Sequence, residues 1–215
     1  MRSKNLGKRC LLLVFGLVIM AYGVSLSIKA GLGTSPISSL PYTISQLSPL
    51  TVGTATIAMH CSLILLQILL LRRKYSLIQL MQLPVALLFG CLTDVTLMSI
   101  QALTPGTYIE QWAYCLLGIL LVGIGVSCEV NANVIPLAGE GFILAVCKTF
   151  SLPFPSIKVC FDCTLVALSC ILGFACRGEL LGVREGTIAA ALLVGVVSKQ
   201  VTKGLIHPLL KRWCV

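Results

Sequence analysis

Residues 10–28 read CLLLVFGLVIMAYGVSLSI, an apolar run without a charged residue. A helix of about 20 apolar residues is long enough to cross the hydrocarbon core of a bilayer. A basic segment, Arg2 to Arg9, precedes the run, as in a secretory signal peptide, but further apolar segments follow it. The run therefore predicts an uncleaved first membrane span.

Apolar segments of similar length recur along the chain, at about 53–71, 78–99, 111–129, 156–176 and 186–206. Hydrophobic residues make up 57% of the 215 residues and charged residues only 11%. A soluble domain needs a surface that is about 25–35% charged, and a disordered chain is poor in hydrophobic residues, so both are excluded. The sequence predicts an all-α, polytopic helical membrane protein with about six transmembrane helices.

Two further apolar segments, 34–47 and 137–150, are interrupted by Ser, Thr, Gly or Pro. They are too short to span comfortably, and segments of this length are more often re-entrant or interfacial. Each follows one long span and precedes another. We expect two short helices at these places, although a spanning arrangement stays open.

The chain resembles itself when it is shifted by 102 residues. The shift aligns Gly16 with Gly118 and Gly23-Val24-Ser25 with Gly125-Val126-Ser127. It predicts internal repeats at about 9–100 and 111–206 within a single membrane domain, 1–215. Because each repeat would cross the membrane three times, the two copies would have inverted topology, an architecture common among secondary transporters.

The basic residues behind the net charge of +9 indicate how the chain is oriented in the membrane. Basic residues accumulate in cytoplasmic loops, and with six spans the N-terminal basic segment, Arg72-Arg73-Lys74 and Lys199 fall on one side. The sequence therefore predicts a multi-pass protein of the bacterial inner membrane with both termini cytoplasmic. The same rule explains the positive charge without nucleic acid.

The first short segment carries candidate ligand-binding hydroxyls. Ser35 followed by Pro36 is a good helix start, and a helix N-terminus within the membrane offers N–H groups and a positive dipole end to an anion. Thr34, Ser35 and Ser38 are therefore predicted to bind substrate. The alternative is a capped helix that lies at the membrane interface.

The second half adds ionisable residues in or near membrane segments, where such groups are costly and usually functional. Glu140 lies at the glycine-rich entry of the second short segment, and Lys158 and Asp162 lie four residues apart on one helical face. These three are predicted to bind substrate. Three more residues are candidates for proton or ion coupling: Glu129, Asp94 and His60. A structural ion pair and a packed histidine are the alternatives.

Enzyme signatures are weak. Cys160-x-x-Cys163 has dithiol spacing but no paired loop cysteines accompany it. The two histidines, His60 and His207, lie far apart along the chain, no Cys/His cluster has zinc spacing, and no Walker or dinucleotide motif occurs. We expect no enzyme activity, no metal and no cofactor.

Taken together, these motifs resemble a known family. The stretch Ala30-Gly31-Leu32-Gly33-Thr34-Ser35-Pro36 resembles the signature of the YczE/YitT-like group of bacterial integral membrane proteins. Gly139-Glu140-Gly141, Lys158, Phe161-Asp162 and Gly182-Val183-Arg184-Glu185-Gly186-Thr187 are similar to the second half of one branch. The resemblance implies a small multi-helix inner-membrane protein, for which transport is the usual supposition.

The leading functional hypothesis is a secondary transporter or membrane solute-binding protein for a small polar molecule, an anion among the options. The alternatives are a non-transporting regulator or scaffold of a partner protein and a membrane thiol oxidoreductase that uses Cys160 and Cys163. The expected partners are membrane lipid and a small-molecule ligand, with no nucleic acid. A homo-oligomer is left open.

Overall fold

The computed structural model describes residues 6–207, and all regular structure in that part of the chain is helical. Its α-helices are α1 (Leu6–Ala30), α2 (Pro36–Leu47), α3 (Val52–Leu71), α4 (Gln82–Ser99), α5 (Tyr108–Ala132), α6 (Ala138–Phe150), α7 (Phe154–Arg177) and α8 (Glu185–Val201). Short helical turns follow α3 (Arg72–Lys74), precede α4 (Leu77–Met81) and follow α8 (Thr202–Ile206).

Six of these helices, counted with their flanking turns, are long and apolar enough to cross a membrane: α1, α3, α4, α5, α7 and α8. The other two, α2 and α6, have 12 and 13 residues. A straight crossing needs about 20 residues, so neither short helix crosses by itself. The predicted all-helical fold with six long and two short helices is confirmed.

Helix α5 begins at Tyr108, before the apolar segment predicted from 111. Thr107 caps it, because its hydroxyl oxygen accepts a hydrogen bond from the Glu110 N–H at 3.3 Å. The Glu110 carboxylate in turn accepts one from the Thr107 N–H at 3.3 Å. This reciprocal capping box sets the start of the helix three residues before the predicted apolar segment.

The order long, short, long, long occurs twice along the chain. Helix α5 begins and ends 102 residues after α1. Helices α6 and α7 likewise begin 102 residues after α2 and α3, and α8 ends 102 residues after α4. The repeats at 9–100 and 111–206 and the single domain stay predictions, to which the helix bounds add this regular spacing.

Helices α1 and α5 cross at four glycines. A Cβ added to Gly16 would stand 3.0 Å from the Gly125 carbonyl oxygen, and one added to Gly23 would stand 2.7 Å from that of Gly118. Small residues let membrane helices approach this closely. The contact positions rise along α1 and fall along α5, so the helices are antiparallel. The first helices of the two halves therefore run in opposite directions.

Most of the remaining helix–helix contacts in one half have an equivalent contact in the other half. Helix α1 packs on α4 as α5 packs on α8, and α2 packs on α7 as α6 packs on α3. One pair breaks the pattern: α3 and α4 pack along each other, whereas the described parts of α7 and α8 make few contacts with each other. A cleft therefore separates α7 from α8.

Backbone pairing between two loops closes one end of the helices. The Thr34 N–H donates to the Gly182 carbonyl at 3.1 Å, and the Gly186 N–H donates to the Leu32 carbonyl at 2.8 Å. Gly33 lies between them with φ +92°, and a Cβ there would also overlap Thr187 and the Arg184 nitrogen. Only glycine fits this position, for reasons of both conformation and space.

Candidate functional site

A cavity of about 420 Å³ lies beside the middle of α1 and α5. Met20 and Val24 line it from α1, and Val122 and Val126 line it from α5. Met20 and Val122 also take part in the glycine contacts that hold the two helices together. Because both helices are of membrane-spanning length, the cavity lies near the middle of the span.

Both halves contribute equivalent positions to the cavity. Much of its lining consists of pairs of residues 102 positions apart: Met20 and Val122, Val24 and Val126, Ser35 and Leu137, Ser38 and Glu140, Thr56 and Lys158, His60 and Asp162, and Phe89 and Ala191. The cavity thus lies between the halves. It also brings together most of the site residues predicted from the sequence.

The start of α2 supplies two hydroxyls to the cavity. Ser35 is the N-cap residue and Pro36 the first helical residue, as the sequence indicates, but the Ser35 side chain does not cap the helix. Its hydroxyl donates instead to the Ser38 hydroxyl at 3.0 Å. Both side chains therefore remain available at the cavity wall.

His60 lines the same wall from α3. Its side chain is buried, with 1% exposed, and its ring meets the Phe89 ring edge-on at a centroid distance of 6.3 Å. Among residues 6–207, nothing forms a hydrogen bond with its Nδ1 atom. Buried polar atoms are nearly always hydrogen-bonded, so this atom requires a partner that the described chain does not supply.

Lys158 and Asp162 face the cavity from α7 as an ion pair. The Lys158 ammonium donates to Asp162 Oδ1 at 2.8 Å, one helical turn apart. About a third of the Lys158 side chain and a fifth of the Asp162 side chain are exposed. The pair leaves little net charge at this part of the wall.

Two glutamates lie beside the start of α6: Glu129 near the end of α5 and Glu140 in the first turn of α6. Glu129, which is 4% exposed, accepts a hydrogen bond at 2.8 Å from the Leu137 N–H through its Oε1 atom. Glu140 lines the cavity in the first turn and forms no hydrogen bond or salt bridge with the described residues. Glu140 lies within electrostatic reach of both Lys158 and Glu129.

The first turns of the two short helices meet beside the cavity. A Cβ added to Gly139 of α6 would stand 2.5 Å from the Ile37 Cδ1 atom of α2. Ile37 and Gly139 are 102 positions apart, so equivalent positions touch each other. Two positive helix ends therefore face one region in the middle of the membrane.

Two predicted site residues lie away from this cavity. Thr34 is buried, and it lines a second cavity of about 160 Å³ near Gly182 and Arg184. Asp94 caps α3, because its carboxylate accepts hydrogen bonds from the Thr51 hydroxyl at 2.6 Å and from the Gly53 N–H at 2.7 Å. Capping of α3 therefore explains why a carboxylate lies at position 94.

The cavity also includes residues that sequence reasoning missed. Thr56, Phe89, Ser198 and Lys199 line it but were not assigned to a site. Thr56 could have been found, because it is 102 residues before Lys158. The others carry no local signal, since aromatic residues, serines and terminal lysines are common in membrane helices.

Sulfur and metal chemistry find no support in the described residues. Cys160 and Cys163 are exposed on α7, and neither lines the cavity. No group of three His, Cys, Asp or Glu side chains suited to a metal ion occurs within residues 6–207. Cys214 lies outside that range.

Six spanning-length apolar helices define the class of the chain: a multi-pass helical membrane protein. It belongs to a family of unknown function, DUF6198, whose model matches residues 7–203. An uncharacterised protein of Haemophilus influenzae is 26% identical over 187 residues, which cover 86% of this chain and 79% of that protein.

A second relative is the uncharacterised protein YyaS of Bacillus subtilis. It is 29% identical over 113 residues, which cover 52% of this chain and 55% of YyaS. No solved structure matches the chain. The relatives thus define a family and leave the activity to be argued from the cavity.

Proposed function

We propose that this protein is a secondary transporter or membrane solute-binding protein for a small polar molecule. The observation that carries the proposal is the cavity between the halves. Its volume of about 420 Å³ lies in the range of roughly 300–1,000 Å³ that is usual for small-molecule sites. Convergent polar groups on an otherwise apolar lining are also typical of such sites.

The polar groups of the cavity support ligand binding over simple packing. An ionisable side chain in a membrane interior is costly and is retained mostly for function. Glu140 and the Nδ1 atom of His60 have no partner among the described residues. A solute that fills the cavity would supply those partners. A proton on Glu129, which is buried beside the cavity, would serve as the coupling ion.

The arrangement of the halves supports transport in particular. Many secondary transporters consist of two inverted repeats with the substrate at their interface, beside short or broken helices. Here α1 and α5 are antiparallel, and both short helices start beside the cavity. Rocking of one half against the other would expose the cavity to each side in turn.

We place the protein in the bacterial inner membrane with both termini in the cytoplasm. The exposed Arg72–Lys74 turn and Lys199 then face the cytoplasm, and Lys29 and Arg177 face outward. The finer assignment to the YczE/YitT-like group and a homo-oligomer also stay predictions. Four of the basic residues behind the orientation lie outside the described range: Arg2, Lys4, Lys211 and Arg212.

The two alternatives have less support. A pure scaffold or regulator would be expected to have a dry, fully paired polar cluster, and the cavity with its unpaired imidazole nitrogen argues against that. A thiol oxidoreductase would be expected to present Cys160 and Cys163 to a substrate site, and both lie outside the cavity.

The proposal can be tested with the full chain purified in detergent. A metabolite panel is screened by thermal shift, since a ligand that binds only the folded state raises the melting temperature. Uptake of each hit is then measured in proteoliposomes for wild type, Glu140→Gln and Glu179→Gln. Glu179 is exposed and lies outside the cavity, which makes it the matched control.

We expect at least one hit, uptake by wild type and Glu179→Gln, and loss of uptake by Glu140→Gln. If no metabolite raises the melting temperature and uptake equals that of empty liposomes, the protein is not a transporter of this kind. Equal uptake by all three proteins would remove Glu140 from the site.

A further inference from the structure

The two walls of the cavity have opposite chemistry. The wall from the first half is neutral and can donate hydrogen bonds, through Ser35, Ser38 and His60. The wall from the second half carries ionisable groups: Glu129, Glu140 and the Lys158–Asp162 pair. A ligand that contacts both walls meets a different partner at each end.

The wall from the first half, here called the α2 wall, is suited to an anionic group. The first turn of α2 contains no acidic residue, so nothing in that turn offsets its positive dipole end. In α6, by contrast, Glu140 lies in the first turn and Glu129 accepts the Leu137 N–H. One of the two helix ends is therefore already neutralised, and the other is open toward the cavity.

His60 gives independent evidence for a ligand at the α2 wall. Its side chain is 1% exposed, it lines the cavity, and its Nδ1 atom has no partner among residues 6–207. A buried polar atom without a partner lowers stability until something bonds to it. A carboxylate there would accept from the imidazole and from the Ser35 and Ser38 hydroxyls.

The wall from the second half, here called the α6 wall, is suited to a cation. Asp162 already forms an ion pair with Lys158 at 2.8 Å, and Glu129 already accepts a backbone hydrogen bond. Glu140 is the carboxylate that remains without a bonded partner among the described residues. An ammonium group would satisfy it and would balance the excess of acid at this wall.

The two binding elements are close enough for one small molecule. Ile37 of α2 and Gly139 of α6 touch, and Ser38 and Glu140 are the next residues in these two helices. Met20, Val24 and Phe89 leave an apolar side to the same cavity. We propose that the cavity binds a zwitterion, a small molecule with a carboxylate at Ser35, Ser38 and His60, an ammonium at Glu140 and an apolar side chain.

This inference rests on the proposed function and gives its substrate class. The probes are sets that share one side chain: L-leucine as zwitterion, L-leucine methyl ester as cation and N-acetyl-L-leucine as anion, with the same sets for valine, methionine and phenylalanine. Each is titrated against the full-length wild-type protein, and both the thermal shift and the heat of binding are recorded. Glu140→Gln, Ser38→Ala and Glu179→Gln are titrated in parallel.

We expect a free amino acid to bind while its ester and its N-acetyl form bind at least about tenfold more weakly, because each lacks one of the two charged contacts. Glu140→Gln should weaken binding about tenfold or more, and Ser38→Ala about threefold to tenfold. Glu179→Gln should bind as wild type does. The probe sets test the wild-type protein, so the result does not depend on the folding of a variant.

Three outcomes would overturn the inference. If an ester or an N-acetyl form binds as tightly as the free amino acid, the site recognises one charge only. If no amino acid binds but another metabolite does, and Glu140→Gln abolishes that binding, solute binding stands and the zwitterion does not. If neither the probes nor the metabolite panel binds, the proposed function fails as well.

Discussion

The two halves of the molecule share an arrangement of helices and differ in the side chains that these helices present to the cavity. Helix bounds recur at 102 residues, yet Ser38 corresponds to Glu140, Thr56 to Lys158, and His60 to Asp162. The glycines of the α1–α5 crossing are the same in both halves. The crossing thus has glycine at both equivalent pairs of positions, whereas the polar positions that line the cavity differ between the halves.

The halves also differ in how tightly they close. Helices α3 and α4 pack together, whereas α7 and α8 stand apart with the cavity between them. Lys158 and Asp162 line it from α7, and Ser198 and Lys199 line it from α8. The charged half is thus also the looser half, and we expect the movements that admit a solute to occur there.

The largest effect is expected at the glycines where α1 and α5 cross. Substitutions there test whether the two halves contribute equally to this crossing. Gly23→Ala and Gly125→Ala each place a Cβ within 2.8 Å of backbone atoms on the partner helix. Overpacking of this kind costs about 1–3 kcal/mol of unfolding free energy. We expect both variants to lower the melting temperature by similar amounts in detergent.

The matched control for the glycine variants is Gly7→Ala. Gly7 lies in α1 with no atom within 4 Å of an added Cβ, so alanine should be neutral or slightly stabilising there. A large loss for Gly23→Ala with none for Gly125→Ala would contradict an equivalent role for the two glycines.

The next effect concerns Asp94, which the sequence offered as a coupling residue. Asp94→Ala removes the acceptor for the Thr51 hydroxyl and the Gly53 N–H, and loss of such a cap costs about 0.5–2 kcal/mol. We expect a lower melting temperature with unchanged solute affinity. Normal stability with lost proton coupling would return Asp94 to the functional residues.

A smaller stability effect, with opposite effects on binding, is expected at the ion pair of the second half. The pair is partly exposed toward the cavity, and solvent-accessible ion pairs contribute about 0.2–1 kcal/mol, so Lys158→Gln and Asp162→Asn should each lower stability by no more than about 1 kcal/mol. Asp162→Asn frees Lys158 to neutralise Glu140 and should weaken the binding of a cationic group. Lys158→Gln frees Asp162 and should strengthen it.

Titration of L-leucine methyl ester into the two ion-pair variants measures the difference. Ester affinity that changes in the same direction in both variants would mean that the pair acts on the cavity through its fold and not through its charge. The Lys158→Gln, Asp162→Asn double variant should resemble wild type in net charge and is the internal control.

The smallest expected effect concerns the dithiol spacing on α7. Cys160 and Cys163 are exposed and line neither of the two cavities described above, so replacing both by serine should change stability by less than about 0.5 kcal/mol. Binding and uptake should equal those of wild type. Loss of a thiol-dependent activity in this variant would revive the oxidoreductase alternative.

The helices could be predicted from the sequence because the bilayer imposes their length. The apolar run at 10–28 became α1, and the short segment at 34–47 became α2, starting at Pro36 as its Ser-Pro sequence indicates. The separation of α7 from α8 could not be predicted. It depends on which helix each packs against, and apolar composition does not encode that choice.

The site was predictable where an ionisable residue stood out in a membrane segment, as Glu140, Lys158 and Asp162 do. Asp94 stood out in the same way, but its partner Thr51 comes from another helix start, and hydropathy does not reveal that contact. Thr56 was missed because a threonine in a membrane helix is unremarkable by itself. Only its correspondence with Lys158 marks it as a cavity residue.

The most direct test of a solute site shared by both halves is the equilibrium affinity of one bound solute, measured by titration calorimetry. Four proteins are compared: wild type, Ser38→Ala from the first half, Glu140→Gln from the second, and the exposed control Glu179→Gln. The shared cavity predicts weaker binding by both cavity variants, the larger loss at Glu140, and wild-type affinity for the control. Wild-type affinity in both cavity variants would contradict it.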